Sequence, residues 1–428
     1  MLNGGVLRAA VDRLAEPRWR WGWWLAIRIV VLLAALAMMF HHDYKHIFDD
    51  LNVYSRWGLG LAEGRLPSND PMWQYPPLAA FVFGGVGLLG GAPWMFAVLF
   101  LAVDVAISVL LAVDARRRGT WYGFGVWLVA PLLIGPLFYG RYDVIPTAFA
   151  LGGLLALSVP VAGVVLALGG GLKVWPAVLA LALPRRDWMR GAAAAAVTGV
   201  AVVAASVMTF PSIIEGFLGN GEARGLQTES VAALPFVWAR FVVGEKGIPE
   251  AFRYGSSEVG VPLADAIAPW LLPLTAVGLL ALIAARVLGR LDHAPVADIA
   301  FVTLTWLMVT SRVLSPQYNV WLVGMAALVW AAGSPRMRKA TIPVLITTLA
   351  AQALYPYAYM DIIRGGFAGI FWQTVRIVAL VATLVIAVRA LAPADTVELR
   401  ELEREAEQER ERDADREPPA PVLDRPGW

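Results

Sequence analysis

Long apolar stretches, separated by short polar or basic segments, run through most of the chain. The first covers residues 22–40, close to the length of about 20 residues that a helix needs to cross a bilayer. Segment 76–91 is shorter and follows Tyr75-Pro76-Pro77, so we expect a re-entrant or interfacial helix there. The other apolar stretches are 93–113, 120–138, 143–158, 160–184, 189–210, 262–285, 296–312, 318–333, 340–360 and 367–391. The pattern predicts an all-α, polytopic integral membrane protein with about twelve transmembrane helices.

Basic residues fix the predicted orientation, because cytoplasmic segments carry an excess of Lys and Arg. Arg8, Arg13, Arg18 and Arg20 precede the first span, which places the N-terminus in the cytoplasm. Further basic clusters lie at residues 116–118, 185–186, 286–290 and 336–339. The resulting divisions are a cytoplasmic N-terminus at 1–21, a transmembrane domain at 22–391 with outer loops at 41–75 and 211–261, and a charged, largely disordered cytoplasmic tail at 392–428.

Two segments depart from simple spans. Cytoplasmic placement of Arg185 requires a break within 160–184, and the run Gly169-Gly170-Gly171-Leu172-Lys173-Val174-Trp175-Pro176 supplies one. Two half-helices would then meet at an outward-facing Lys173, which a membrane tolerates where the backbone lines a cavity. Residues 231–243 have an apolar and a polar face, which predicts a helix lying on the membrane.

Composition narrows the functional class. Hydrophobic residues make up 58% of the chain, and the net charge is only +2, so nothing points to a nucleic-acid partner. The chain contains no cysteine, which excludes disulfides, thiolate metal sites and cysteine nucleophiles.

The first outer loop holds the strongest candidate chemistry, the adjacent acids Asp49 and Asp50. On a helix that begins there, Asp50 shares a face with Tyr54 and Trp57, whereas Asp49 points about 100° away. An acid beside amphipathic rings suits a sugar or lipid-headgroup site. The alternative is that these residues are a helix cap and interfacial anchors.

Other outer junctions carry cations. At Arg141 and Asp143, either Asp143 caps the next helix with Arg141 as its ion partner, or Arg141 binds a phosphate with its planar guanidinium. Lys173 is either a functional cation or a lysine that reaches back to the interface. Arg312, near the Ser315-Pro316-Gln317-Tyr318 turn, offers a second phosphate contact, unless that turn is an ordinary connection.

A metal site has little support in the sequence. His42 and His46 have helical spacing, but no glutamate completes a His-Glu-x-x-His pattern, so interfacial polar residues are favoured. We therefore expect no metal and no cofactor. Asp104 lies within a span, and the sequence gives it no role beyond that of a buried partner.

Several short motifs resemble glycosyltransferase family 87 of the GT-C superfamily, and their order and spacing together are more specific than any one of them. They are Asp50-Leu51-x-Val53-Tyr54, Gly64-x-Leu66-Pro67-x-x-Asp70, Trp73-Gln74-Tyr75-Pro76-Pro77-Leu78, Gly140-Arg141-Tyr142-Asp143-x-x-Pro146, Leu172-Lys173-x-x-Pro176 and Ser315-Pro316-Gln317-Tyr318.

The resemblance implies inverting transfer of mannose from polyprenyl-phosphate-mannose to a lipid-linked envelope glycan, such as a phosphatidylinositol mannoside or lipoglycan, outside the plasma membrane. It implies that Asp50 is the general base, with Asp49 as second choice. Lys173, Arg141 and Arg312 would hold the donor phosphate. The remaining predicted substrate contacts are Tyr54, Trp57, Asp70, Gln74, Tyr75, Asp143, Gln317 and Tyr318. Membrane lipids would surround the chain, and no obligatory protein partner is expected.

Two alternatives stay open at this point. One keeps the fold and replaces the donor by polyprenyl-phosphate-arabinofuranose. The other is a flippase or transporter for a lipid-linked sugar, since broken helices and buried charges also suit transporters. The polar groups gather on one face here rather than at the midplane, which favours the enzyme.

Overall fold

The computed structural model describes residues 19–41, 43–222 and 224–393, and most of these residues are helical. The helices are α1 Arg20–Phe40, α2 Asp49–Ala62, α3 Leu78–Leu88, α4 Pro93–Arg118, α5 Tyr122–Ile134, α6 Val144–Leu154, α7 Val159–Leu172, α8 Trp188–Thr209, α9 Ile213–Glu222, α10 Leu234–Gly247, α11 Pro262–Ile267, α12 Leu271–Val287, α13 Val296–Val309, α14 Asn319–Ala332, α15 Pro335–Ala340, α16 Ile342–Gln352, α17 Tyr359–Arg364 and α18 Phe367–Leu391.

Shorter elements connect these helices. Single α-helical turns lie at Leu137–Gly140 and Trp175–Val178, and a π-helical turn lies at Ala353–Tyr357. The 3₁₀ turns are Lys45–Phe48, Leu179–Ala182, Arg185–Asp187, Val231–Ala233, Ala268–Trp270 and Pro316–Tyr318. Strands β1 Glu250–Arg253 and β2 Ser256–Val259 form an antiparallel hairpin, so the outer segment at 211–261 adds a small sheet to the expected all-helical architecture.

The membrane character of the fold is clear in the described helices. Five are long and apolar enough to cross a bilayer, namely Arg20–Phe40, Pro93–Arg118, Arg185–Thr209, Pro262–Val287 and Phe367–Leu391. Apolar side chains of α8 and α12 remain exposed, with Val200 70% and Val277 64% exposed. Lipid covers such a surface at low cost, whereas water does not. By contrast, α14 lies in the centre of the bundle, where every residue from Asn319 to Val329 is buried.

Two helix breaks position the functional region. Helix α7 ends at Leu172, and Lys173 has an extended backbone (φ −151°, ψ 137°) before the turn Trp175–Val178. The predicted span at 340–360 is not one regular helix, because the helix is interrupted at Tyr355 (φ −116°, ψ 117°). Pro356 explains this break, since a residue that precedes proline is disfavoured in the helical conformation.

A buried ion pair joins the first helices of the bundle. The guanidinium of Arg28 on α1 contacts both carboxylate oxygens of Asp104 on α4, at 2.9 and 3.0 Å. The indole of Trp127 and the hydroxyl of Tyr139 donate to the same carboxylate, each at 2.8 Å. Asp104 is therefore the fully bonded partner of a structural network, as a buried charge in a membrane protein requires.

Helices α2 and α3 touch through their backbones. A Cβ added to Gly87 would lie 1.9 Å from the carbonyl oxygen of Gly58, and one added to Gly58 would lie 2.6 Å from the carbonyl oxygen of Phe83. Only glycine permits this approach, which packs the helix that carries Asp50 against its neighbour.

We expect Gly87→Ala to destabilise the protein by about 1–3 kcal/mol, because the added methyl group forces two backbones apart. Gly85→Ala is the matched control, since a Cβ at Gly85 meets nothing within 4 Å. Thermal unfolding of both variants in detergent measures the difference. Equal melting temperatures would contradict the close packing.

Candidate functional site

Two ion pairs meet at the junction between Gly140 and α6. The guanidinium of Arg141 contacts the carboxylate of Asp50, which belongs to the first turn of α2. Two residues further along the chain, the carboxylate of Asp143 accepts a hydrogen bond of 2.6 Å from the ammonium of Lys173. The junction therefore connects the first outer loop to the break after α7. The expected alternative in which Arg141 pairs with Asp143 does not occur.

Asp50 has the exposure and the partners of a reactive group. No side chain caps α2, so Asp50 is not a capping residue. Its side chain is 30% exposed and lies in the first turn of α2. The hydroxyl of Tyr54 lies 3.5 Å from the carboxylate and 3.1 Å from the hydroxyl of Tyr75. Asp49 is exposed and points elsewhere.

A compact aromatic cluster supports this carboxylate. Tyr54 is 2% exposed and stacks on Phe83, with ring centroids 5.0 Å apart. The indole of Trp57 donates to Asp70 at 2.9 Å, and Asp70 also accepts the backbone N–H of Met72 at 2.9 Å. Trp57 and Asp70 were predicted to bind substrate, and in the structure they bind each other and shape the first outer loop.

Tyr75 lies where the cluster meets the rest of the site. Burial raises the pKa of its phenol, and the nearby carboxylates of Asp50 and Asp143 raise it further. Tyr75 therefore stays neutral across the physiological range, and its hydroxyl shares a hydrogen bond with that of Tyr54. Tyr318 also lies close enough to influence it.

A cavity of about 360 Å³ opens beside this cluster. Four predicted site residues line it, namely Gln74, Lys173, Arg312 and Tyr318. Most of the remaining lining is apolar and comes from Pro76, Val174, Trp175, Val178, Phe217, Leu271, Leu272, Leu307, Met308 and Trp321. The other predicted site residues, among them Asp50, Arg141, Asp143 and Gln317, are not among the lining residues. Apolar walls with a few convergent polar groups are typical of a ligand site.

Two tryptophans that the sequence did not single out form one wall of this cavity. Trp321 stacks between Tyr318 and Trp175, with centroid distances of 3.9 and 5.2 Å. The ammonium of Lys173 lies 4.5 Å from the ring of Tyr318 and 4.7 Å from that of Trp321, within range of cation–π attraction. Asp143 and the ring stack therefore hold Lys173 at the cavity rather than letting it extend to the interface.

Comparison with known proteins gives the family. The model of glycosyltransferase family 87 matches residues 73–316, which is more than half of the chain. The chain belongs to glycosyltransferase family 87. With its long apolar helices, it is a membrane glycosyltransferase. The match covers the cavity residues Gln74, Lys173 and Arg312 and begins after Asp50. No curated protein and no solved structure matches the chain.

In this family 87 chain, hydrogen bonds from Gln227 hold the segment that carries Arg312 at one side of the cavity. The side-chain oxygen of Gln227 accepts the backbone N–H of Leu314 at 2.7 Å, and its amide nitrogen donates to the hydroxyl of Ser315 at 3.2 Å. The backbone N–H of Gln227 donates to the carbonyl of Arg312 at 3.0 Å. Gln227 is 2% exposed, so these bonds have no competition from water. They fix the loop that presents Arg312 and Tyr318.

Glu229 and Arg376 complete the clamp. The guanidinium of Arg376 donates to the carbonyls of Glu229 and Leu314, at 3.2 and 2.7 Å, and joins α18 to both segments. The side-chain amide of Gln373 donates to the carbonyl of Glu229 at 2.8 Å. Burial raises the pKa of the Glu229 carboxyl to about 7, although Arg376 opposes the shift. Gln227 and Glu229 lie in a polar connection, where no sequence signal marks them.

The described residues contain no group of three or more histidines and acids that could hold a metal ion. His46 packs instead with its ring 6.2 Å from that of Tyr355. His42, the other residue considered as a ligand, lies outside the described residues.

The raised pKa of Glu229 predicts a pH-dependent stability. The folded state favours the protonated carboxyl, so this contribution is complete below the ordinary pKa of 4.5 and is lost as the pH rises through about 7. Glu229→Gln, which mimics the neutral form, should flatten the decline of the melting temperature between these values.

The control is Glu245→Gln, which changes an exposed glutamate on α10 and should leave the pH profile of the wild-type protein intact. Parallel wild-type and Glu229→Gln profiles would show that Glu229 does not titrate in this range.

Proposed function

We propose that the protein transfers mannose from polyprenyl-phosphate-mannose to a lipid-linked glycan of the cell envelope, at the extracytoplasmic face of the plasma membrane. The observation that carries the proposal is the Asp50–Arg141 pair beside a largely apolar cavity with Lys173 and Arg312 in its lining. Membership of a glycosyltransferase family supports the reaction class.

Asp50 is the general base in this proposal. A hydroxyl oxygen of the acceptor forms a bond to the anomeric carbon, while the bond from that carbon to the phosphate oxygen breaks. The hydroxyl proton passes to Asp50, and the phosphate leaves with the bonding electron pair. Attack on the face opposite the leaving group inverts the anomeric configuration. Arg141 orients the carboxylate of Asp50 through their ion pair.

Lys173 and Arg312 hold the donor phosphate in this proposal. Both line the cavity, and Lys173 is fixed by Asp143 and by two aromatic rings. A phosphate is a good leaving group, so the reaction needs cations that stabilise its charge rather than a strong acid. The apolar walls take the first part of the polyprenyl chain. Arg141 is also an expected phosphate ligand. In this proposal it positions Asp50 instead, because Arg141 does not line the cavity.

A direct assay tests the proposal. The purified protein in detergent receives polyprenyl-phosphate-mannose or polyprenyl-phosphate-arabinofuranose, together with an envelope-lipid extract, and products are identified by mass. Addition of a hexose to a lipid supports the proposal, whereas addition of a pentose identifies the arabinofuranose donor. Absence of transfer with either donor would overturn the proposed donor class.

Asp50→Asn should lower turnover by at least about 10²-fold, because the amide preserves the shape but cannot accept the proton. Donor affinity should change little, since the phosphate binds elsewhere. Asp49→Asn is the control and should be milder, because Asp49 faces away from Arg141. Normal turnover in Asp50→Asn would exclude Asp50 as the base and leave Asp49 as the candidate.

Lys173→Ala should raise the donor KM about ten- to a hundredfold, the equivalent of about 1.5–3 kcal/mol for a lost charge-assisted contact. Because this change also leaves Asp143 without its cation, the double variant Lys173→Ala with Asp143→Asn removes the pair together. Both variants should show the same effect on the donor. Lys246→Ala, at an exposed lysine of α10, is the control. An unchanged donor KM in both variants would exclude a phosphate-binding role for Lys173.

A further inference from the structure

Four aromatic or imidazole side chains gather near Asp50, apart from the cavity. They are Tyr44, His46, Tyr355 and Tyr357, which we call the outer aromatic surface. The rings of Tyr44 and Tyr357 lie 5.6 Å apart, and those of His46 and Tyr355 lie 6.2 Å apart, both in edge-to-face geometry. None of the four lines the 360 Å³ cavity.

This surface connects directly to the proposed base. The side chain of Tyr355 lies close enough to Arg141 and Asp50 for the charges of both to act on its phenol. His46 belongs to the 3₁₀ turn Lys45–Phe48, which runs straight into the helix that carries Asp50. Tyr355 occupies the break in the chain after α16, where its non-helical backbone separates it from the regular spans. His46 is therefore held near Asp50 by a 3₁₀ turn, and Tyr355 by a helix break, rather than by regular membrane helices.

The reaction geometry gives this surface a role. In an inverting transfer, the acceptor oxygen approaches the sugar from the face opposite the leaving phosphate. In the proposed reaction the cavity with Lys173 and Arg312 takes the phosphate. The hydroxyl of Tyr54 lies between Asp50 and the hydroxyl of Tyr75, whose chain neighbours Gln74 and Pro76 line that cavity. Arg141 pairs with Asp50, and Tyr355 of the outer aromatic surface lies near both of them.

We propose that the outer aromatic surface binds the carbohydrate headgroup of the acceptor lipid. The inference rests on the proposed function, because it takes Asp50 as the base and the cavity as the donor site. Tyrosine and imidazole rings offer apolar faces to the C–H groups of a sugar and polar edges to its hydroxyls. Tyr357 is 58% exposed and Asp49 is exposed nearby, so both are accessible to a headgroup.

The absence of cysteine from the chain allows a test that does not depend on turnover. The Tyr357→Cys variant is labelled with a polar maleimide, in detergent, in the presence of phosphatidylinositol mannoside or of phosphatidylinositol, the same lipid without mannose. The mannosylated lipid should slow labelling by about tenfold at ten times its dissociation constant, whereas phosphatidylinositol should not. Phe252→Cys, at an exposed position of β1, is the control and should label at one rate throughout.

Three outcomes would overturn the inference. If neither lipid slows labelling relative to the lipid-free protein, no sugar binds there. If both lipids slow it equally, the rings only anchor the chain in the interface. Protection by polyprenyl-phosphate-mannose alone would assign the surface to the donor. The transfer assay on the wild-type protein separates failure of this inference from failure of the proposed function, because that assay requires no knowledge of where the acceptor binds.

Discussion

The two charges of the Arg141-Tyr142-Asp143 junction pair in opposite directions, and the site depends on this arrangement. Arg141 reaches Asp50 in the first outer loop, and Asp143 reaches Lys173 at the break after α7. Arg141 and Asp143 are buried, so removal of Asp50 or Lys173 would leave a desolvated charge without its counter-ion. Together the two pairs hold Asp50, the proposed base, and Lys173, a proposed phosphate ligand, at one junction. These two residues are far apart in the sequence.

The same physical rule governs the surroundings of the junction. Asp104 satisfies Arg28 in the bundle, and Arg376 satisfies carbonyls of two loops at the cavity. Polar groups at membrane depth must find internal partners, so non-helical backbone occurs where other protein groups bond it. The loops around the cavity are accordingly fixed by hydrogen bonds, and the chain positions Arg312 and Tyr318 through Gln227 rather than through packing alone.

Hydrophobic runs and short motifs predicted the helical membrane fold, the break at Lys173 and several residues of the cavity lining. They could not predict that Arg141 pairs with Asp50, because a partner far along the chain leaves no local pattern. The stacking of Trp175 on Trp321 could not be predicted for a related reason, since tryptophans are common in apolar segments. The interruption at Tyr355 did have a signal in Pro356, which the continuous apolar run obscured. The hairpin at 250–259 is short, and its few alternating residues are too weak a pattern to distinguish it from a loop.

If Lys173 and Arg312 hold the donor phosphate, as proposed, the bond between Asp143 and Lys173 has a consequence for product release. A phosphodiester donor carries one negative charge, whereas the monoester phosphate left after transfer carries about −1.5 to −2 at neutral pH. Two unopposed cations would hold this spent carrier more tightly than the fresh donor, and its departure would then limit the rate of the cycle. Asp143 offsets part of the positive charge of Lys173. This reduces the difference between the affinity for the spent carrier and the affinity for the donor. Asp143 would thus help the spent carrier to leave after each transfer, in addition to holding Lys173 in place.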